Sequence, residues 1–210
     1  MLVNVYVDGF NLYYGCLKGS LHKWLDLGAL CRTLLPRDDI HRIRYFTARV
    51  SARPENPGCA RRQEVYLRAL ATVPHLAIHL GRFSQTSVRM PLTHPVPGKP
   101  RIVEVIRNEE KRSDVNFGAY VVADAARQDC EAAVMITNDS DLAEPIYLAR
   151  NWFKVPVGIV NPSPGAMFSR DLLAEHPLFT KRIRPSVLRN CQFPDRLQDR
   201  HGVIRRPENW

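Results

Sequence analysis

Apolar and β-branched residues occur along this chain in short dense runs, separated by stretches in which apolar positions recur every three or four residues. Leu2 to Val7 is the first run, and it stops at Asp8-Gly9-Phe10-Asn11, which reads as a strand feeding a helix through a loop at its carboxyl end. Trp24 to Leu35 carries Leu27, Leu30, Cys31 and Leu34 at helical spacing, and Pro36 ends it. Ile40 to Val50 alternates around Ile43, Tyr45 and Thr47 and predicts a second strand. Arg53 to Gly58, with two prolines, predicts a loop, and Cys59 to Val73 a helix with Arg61, Arg62 and Arg68 facing out. His75 to Phe83 predicts a third strand; His75 and His79 lie too far apart on it to share a metal, so both are expected to be structural.

From Ser84 the pattern changes. The chain is rich in Pro, Ser and Thr to Lys99 and alternates again from Arg101 to Ile106, which predicts a β-ribbon over 84–107 around the Pro95-Val96-Pro97-Gly98 turn. After Glu109-Glu110-Lys111-Arg112-Ser113 comes a helix of about fifteen residues. It has Asp114 in its first turn and an apolar stripe of Val115, Gly118, Ala119, Val122, Ala125 and Ala126. Asp124 lies about 15 Å further along that helix and is expected to be a structural acid. Ala133 to Thr137 reads as a buried strand running into Asn138-Asp139-Ser140-Asp141, with Asp141 placed to cap or open the helix from Leu142 to Asn151. Val155 to Val160 predicts another buried strand and Ser169 to Ala174 a short helix. Strands near positions 2, 43, 76, 134 and 156 that alternate with helices predict an α/β fold, a mainly parallel central sheet with helices on both faces. The domain is expected over 1–175. Beyond it lies a basic, aperiodic extension, 176–210, in which Phe193 and Trp210 favour packing.

Composition narrows the class. The chain has 210 residues, enough for one domain with additions, and 45% apolar with 24% charged residues is ordinary for a globular protein. Thirty Lys and Arg against 21 Asp and Glu give a net charge of +9, which suits a polyanionic partner as well as a merely basic surface. The five cysteines, Cys16, Cys31, Cys59, Cys130 and Cys191, form no C-x-x-C pair; that argues against a disulfide framework or a structural zinc site and points to a reducing cytoplasm. Without a long apolar segment or a visible signal peptide, no membrane role is expected. The sequence leaves room for a homo-oligomer.

The chemistry gathers at one edge. In an open α/β sheet, ligands bind beyond the carboxyl ends of the strands. Asp8 and Asp139 reach that edge together if their strands are parallel neighbours, with Asp141 beside them and Asp114 brought in on the amino end of its helix. Each acid also has a plain reading: Asp8 is as readily an N-cap as a ligand, and Asp139 to Asp141 in isolation reads as a polar turn. Four bare carboxylates in one cleft would repel by several kcal/mol, a cost that Mg²⁺ or Mn²⁺ removes. Lys111 and Arg112 are placed to attract a phosphate, and Asn11 to hold Asp8 or contact that phosphate through its amide.

Val7-Asp8-Gly9-Phe10-Asn11-Leu12, Lys111-Arg112-Ser113-Asp114-Val115-Asn116 and Asn138-Asp139-Ser140-Asp141-Leu142 together resemble the three acidic motifs of NYN-domain proteins, the LabA-like branch of the PIN-like nucleases. The likeness covers roughly Leu2 to Val160 in motif order and spacing. It implies a Rossmann-like (PIN-like) three-layer fold and RNA cleavage dependent on Mg²⁺ or Mn²⁺, with Asp8, Asp114, Asp139 and Asp141 as metal ligands and Asn11 and Ser140 as polar supports. Two positions depart from the family pattern: Asn138 stands where a Gly is frequent, and Tyr120 where related sequences often carry another acid. A module that binds RNA or a protein without cleaving is the alternative from the binding class. A phosphatase acting on a small phosphorylated molecule is a third reading, disfavoured because Asp8 has no partner acid two residues on. G-x-x-x-x-G-K-[ST] and G-x-G-x-x-G are both missing, which disfavours an NTPase and a dinucleotide enzyme.

Overall fold

The computed structural model describes all residues except 53–55 and 209, so part of the loop expected over 53–58 lies outside the described residues. In chain order the elements are β1 (Leu2–Asp8), α1 (Gly9–Leu12) continued by a π-helical turn (Tyr13–Leu17), α2 (Leu27–Leu34), β2 (Asp39–Ala48), α3 (Cys59–Leu70), β3 (Leu76–Pro91) and β4 (Ile102–Lys111). Then follow α4 (Ser113–Ala126), β5 (Ala132–Ile136), a 3-10 turn (Ser140–Leu142), α5 (Ala143–Asn151), β6 (Val157–Asn161), α6 (Arg170–Ala174), β7 (Thr180–Arg182), α7 (Pro185–Asn190), β8 (Arg196–Asp199) and β9 (Gly202–Arg205). The central sheet has seven strands in the order β4-β3-β2-β1-β5-β6-β7, all parallel except the antiparallel β3–β4 pair. This is a Rossmann-like three-layer α/β fold.

Side chains alternate across β1, and the alternation divides the core. Val3, Val5 and Val7 point into one layer with Leu27, Leu30, Leu67 and Leu70, while Tyr6 points into the other with Phe117, Val121, Ile146 and Leu172. The chain runs from β1 outward through β2 and β3, then returns to place β5 on the other flank of β1. That reversal between β1 and β5 is the topological switch point, where the loops leaving the two strands diverge and open a crevice.

The ribbon is longer than the alternation of Arg101 to Ile106 predicts. β3 and β4 pair from Arg82–Lys111 to Pro91–Ile102, and the base of this ribbon delivers the chain directly into α4. Residues 176–210 complete the fold: β7 extends the central sheet, Ile183, Leu188, Cys191, Phe193 and Ile204 enter the core, and the Phe193 ring packs against Trp24 at 5.7 Å. Arg68 of α3 fastens the β8–β9 hairpin through Asp199, with Nε to Oδ2 at 2.7 Å. Among the described residues no helix is long and apolar enough to cross a membrane, and all five cysteines are free thiols.

The buried face of α4 differs from the stripe expected for it. Val115 is three-quarters exposed, and the helix buries Phe117, Gly118, Val121, Asp124 and Ala125. The cause is a charge pair that an apolar-periodicity reading does not register. Asp124 takes a two-pronged contact from Arg44 of β2, with Nε to Oδ2 at 2.7 Å and Nη2 to Oδ1 at 2.8 Å, and accepts a third hydrogen bond from the Tyr6 hydroxyl at 2.9 Å. Once paired, the acid can point inward and take the helix face with it. Tyr120 faces the same network: the Arg44 guanidinium lies 4.4 Å over its ring and His79 is 4.1 Å away. His79 also stacks on Phe46 and is structural, as expected; burial and Arg44 lower its pKa.

Candidate metal centre

Three acids arrive at the switch point by three routes. Asp8 ends β1, Asp139 follows β5, and Asp114 lies in the first turn of α4 as the chain leaves the ribbon. Their carboxylate oxygens include a set in which every pair lies within 4.8 Å, close enough to share one small cation. Asp8 is buried, Asp139 half-buried and Asp114 exposed, so the crevice has a closed floor and an open rim.

The capping and ligand readings of Asp8 are compatible. Its Oδ1 accepts the Asn11 N–H at 2.9 Å and caps α1, while its Oδ2 accepts the Thr137 hydroxyl at 3.2 Å. Asp139, rather than Asp141, caps the helical segment after β5: its Oδ1 accepts the Asp141 N–H at 3.1 Å, and α5 begins only at Ala143. The helical segment starts two residues earlier than a cap at Asp141 would place it, with Asp141 in its first turn, and Thr137 Oγ1 accepts the Asp139 N–H at 3.2 Å. All three acids therefore sit at the amino ends of helical segments, whose exposed N–H groups partly offset their charge.

That offset is incomplete. Burial, then Asp114 and Asp139, push the Asp8 carboxyl up to about 6, although the hydrogen bonds from Asn11 and Thr137 work in the opposite direction. Asp114 is raised too, by burial and then by Asp139, Glu110 and Asp141. Carboxylates whose ionisation is opposed by burial and by one another form a donor set suited to a hard divalent ion with oxygen ligands, so the residues present fit Mg²⁺ or Mn²⁺.

The other expected site residues lie around this centre in different ways. Asn11 bridges two loops, its side-chain oxygen accepting the Asn138 N–H at 3.0 Å. Asn138 in turn ties down the loop after β6, donating to the Met167 carbonyl at 2.9 Å and accepting the Ser169 N–H at 2.9 Å, a task glycine could not perform. Asp141 and Ser140 are exposed; Asp141 acts on Asp114 through its charge and is not in the close-packed set. Lys111 is exposed and paired with Glu109 at 2.8 Å, and Arg112 is exposed at the N-cap of α4 in the left-handed region, φ 86°. Two supports escaped sequence reasoning. Thr137 links Asp8 to Asp139, and Glu110 holds the start of α4 by accepting the Ser113 hydroxyl at 2.8 Å. A lone Thr closing an otherwise apolar strand was the available signal for the first.

Gly9 allows α1 to start this close to the sheet. A Cβ there would lie 2.7 Å from the Phe46 carbonyl oxygen and 2.8 Å from the Tyr45 ring. Gly9→Ala is expected to cost about 1–3 kcal/mol by overpacking and to weaken Mn²⁺ binding by moving the Asp8–Asn11 cap, readable by thermal melts and calorimetric titration.

No family model matches the chain. It is 30% identical over 232 residues to the 6-hydroxy-3-succinoylpyridine 3-monooxygenase HspA of Pseudomonas putida, an alignment covering 98% of this chain and 74% of that protein. Among solved structures it resembles a protein of unknown function from Vibrio parahaemolyticus, with a TM-score of 0.54 and 14% identity over 87% of this chain and 93% of the other. The second likeness speaks to the fold alone.

Proposed function

The chain belongs to the same family as HspA, and from the acids at its switch point we propose that it is a metal-dependent ribonuclease of the NYN type. The observation that carries the reading is the convergence of Asp8, Asp114 and Asp139, with ligand oxygens within 4.8 Å of one another. These three would hold Mg²⁺ or Mn²⁺. A divalent ion there supplies Lewis acidity, a lowered pKa for water and compensation of charge on a phosphodiester.

The chain's own groups do the rest. Asn11 and Thr137 fix the Asp8 oxygens, and Asp139 is held by the turn it caps. Asp141, exposed at the rim, is the acid free to accept a proton from an attacking water, while Lys111 and Arg112 supply cationic charge beside Asp114 for the substrate's phosphates. Hydrolysis forms a bond from the water oxygen to phosphorus, breaks the bond from phosphorus to the leaving oxygen, and returns a proton to that oxygen. The net charge of +9 favours an RNA polyanion over a small phosphorylated molecule. Five free thiols accord with a reducing cytoplasm.

The name of HspA supports a second reading, hydroxylation of a pyridine ring. That reaction needs dioxygen and a two-electron reductant, and iron sites that activate dioxygen typically pair two histidines with one carboxylate, whereas this donor set is all carboxylate. Labelled single-stranded RNA incubated with Mg²⁺, Mn²⁺ or EDTA tests the first reading. Cleavage is expected with either ion, absent in EDTA and absent for Asp139→Asn. Intact RNA in every lane, together with turnover of 6-hydroxy-3-succinoylpyridine, would replace the first reading with the second.

A further inference from the structure

The helical segment that begins at Asp8 carries more than ligands. Asn11 faces the Asn138 loop, and Gly15 allows the loop after β6 to approach so closely that a Cβ would lie 2.7 Å from Ser163 Oγ. The helix is therefore wedged between the two loops that border the acidic crevice. On its outward side two aromatic rings are left uncovered. Tyr14 is 58% exposed and Tyr13 37%. The two rings meet edge to face at 5.3 Å, and Lys18 Nζ lies 5.0 Å over the Tyr14 ring.

Exposed tyrosines cost the fold apolar contact with water and contribute no core packing here, because the buried side of the same segment is made by Leu12 and Leu17. Tyr14 lies about 9 Å along the axis from Asp8, at about 1.5 Å per residue. A flat ring on the solvent side, a second ring fixing its orientation and an ammonium group above it form an arrangement that unpaired nucleobases use: the base stacks on the ring, and the neighbouring phosphate meets the cation. A duplex offers no free base face along its length and cannot use such a ring.

We propose that Tyr14, supported by Tyr13 and Lys18, is a stacking platform that selects single-stranded RNA and carries it toward the acidic crevice. The proposal rests on the ribonuclease reading for its substrate class and adds the strandedness of that substrate. Another flat heterocycle, a free pyridine for example, offers the same stacking chemistry without a phosphate for Lys18, and the test separates the two sources.

Binding of fluorescein-labelled oligouridine, of a blunt duplex of equal length and of 6-hydroxy-3-succinoylpyridine is measured for the whole protein in EDTA, which prevents metal-dependent cleavage. Wild type, Tyr14→Ala and Tyr14→Phe are compared, with thermal melts confirming that all three fold alike. Tyr14→Ala is expected to weaken oligouridine binding about 5- to 100-fold, with the duplex unaffected and Tyr14→Phe close to wild type. Equal affinity of wild type and Tyr14→Ala for oligouridine, equal losses on single strand and duplex, or Tyr14-dependent binding of the pyridine alone would each overturn the proposal. Tyr14-dependent binding without Mn²⁺-dependent cleavage would leave the platform standing and remove the nuclease reading. Cleavage by a protein whose binding ignores Tyr14 would do the reverse.

Discussion

Asp8→Asn is expected to raise the melting temperature of the metal-free protein and, in the same molecule, to eliminate its thermal response to Mn²⁺ and its cleavage of RNA. The two effects share a cause. Asp8 has an ordinary carboxyl pKa of 3.8 when unfolded and about 6 when folded, because the fold buries it beside Asp114 and Asp139. Between those values the folded chain holds a proton that the unfolded chain has released. Stability of the metal-free protein therefore falls as pH rises through that window and stays lowered above it. Two pH units correspond to about 3 kcal/mol at most. Asparagine keeps an acceptor for the Asn11 N–H and removes the charge, so a gain on the order of 1–3 kcal/mol is expected at pH 7. Melts in EDTA at pH 4.5, 6 and 7.5 check the sign: wild type should lose stability across the series, and the variant should lose less. A divalent ion reverses the balance, because it binds the ionised form and competes with the proton. Apparent Mn²⁺ affinity of the wild type should rise up to and slightly beyond pH 6 and then level off. Loss of a ligand should lower cleavage by more than 100-fold, beyond the 10–100-fold typical of outer-shell partners. A variant that is less stable at pH 7 and still shifted by Mn²⁺ would remove Asp8 from the centre.

Asp124→Ala should unfold the protein far more readily although it lies well away from the crevice. It leaves the Arg44 guanidinium, only 11% exposed, without its counter-charge and the Tyr6 hydroxyl without an acceptor. Breaking a buried pair from one side costs about 3–5 kcal/mol. At about 2–4 °C per kcal/mol for a chain of this size, the melting temperature should drop by about 6–20 °C. Because Asp124 and Asp114 ride on the same helix, Mn²⁺ affinity should fall as well. A double variant, Arg44→Met with Asp124→Leu, should recover most of the stability, since the burial penalty of both charges disappears together. Denaturant titrations of the single and double variants decide the point; a single-variant loss below 1 kcal/mol would mean that α4 is held by its apolar contacts alone.

Much of this was legible before any coordinates, and the parts that were not have physical explanations. The strands of the parallel sheet could be read because they are buried on both faces and so appear as dense apolar runs. The acids at positions 8 and 139 could be read because each follows a strand that ends at the same edge, and Asp114 because it opens a helix whose amino end can face that edge. The orientation of α4 could not: its buried face is organised by Asp124, and a charged residue counts as solvent-facing until its partner, Arg44, is known to lie opposite. In residues 176–210 Phe193 and Trp210 signal packing, but the strands and the helix there are not legible, since the arginines lie among apolar anchors, Ile183, Leu188, Phe193 and Ile204, too widely spaced to form a period. Asp141 is expected at the same edge as Asp139, with its ligand role implied by the resemblance, yet it is exposed and lies outside the close set of Asp8, Asp114 and Asp139.

The crossing order of the sheet has a consequence for synthesis. β1 is the first strand made, but the neighbour that leads into Asp139, β5, arrives only after the ribbon and α4 have been built. At about 5–20 residues per second, a ribosome spends roughly 7 to 26 seconds between the codon for Asp8 and that for Asp139. Throughout that interval the emerging polypeptide cannot bring the three acids together, and any product cut short before β5 lacks the cluster altogether.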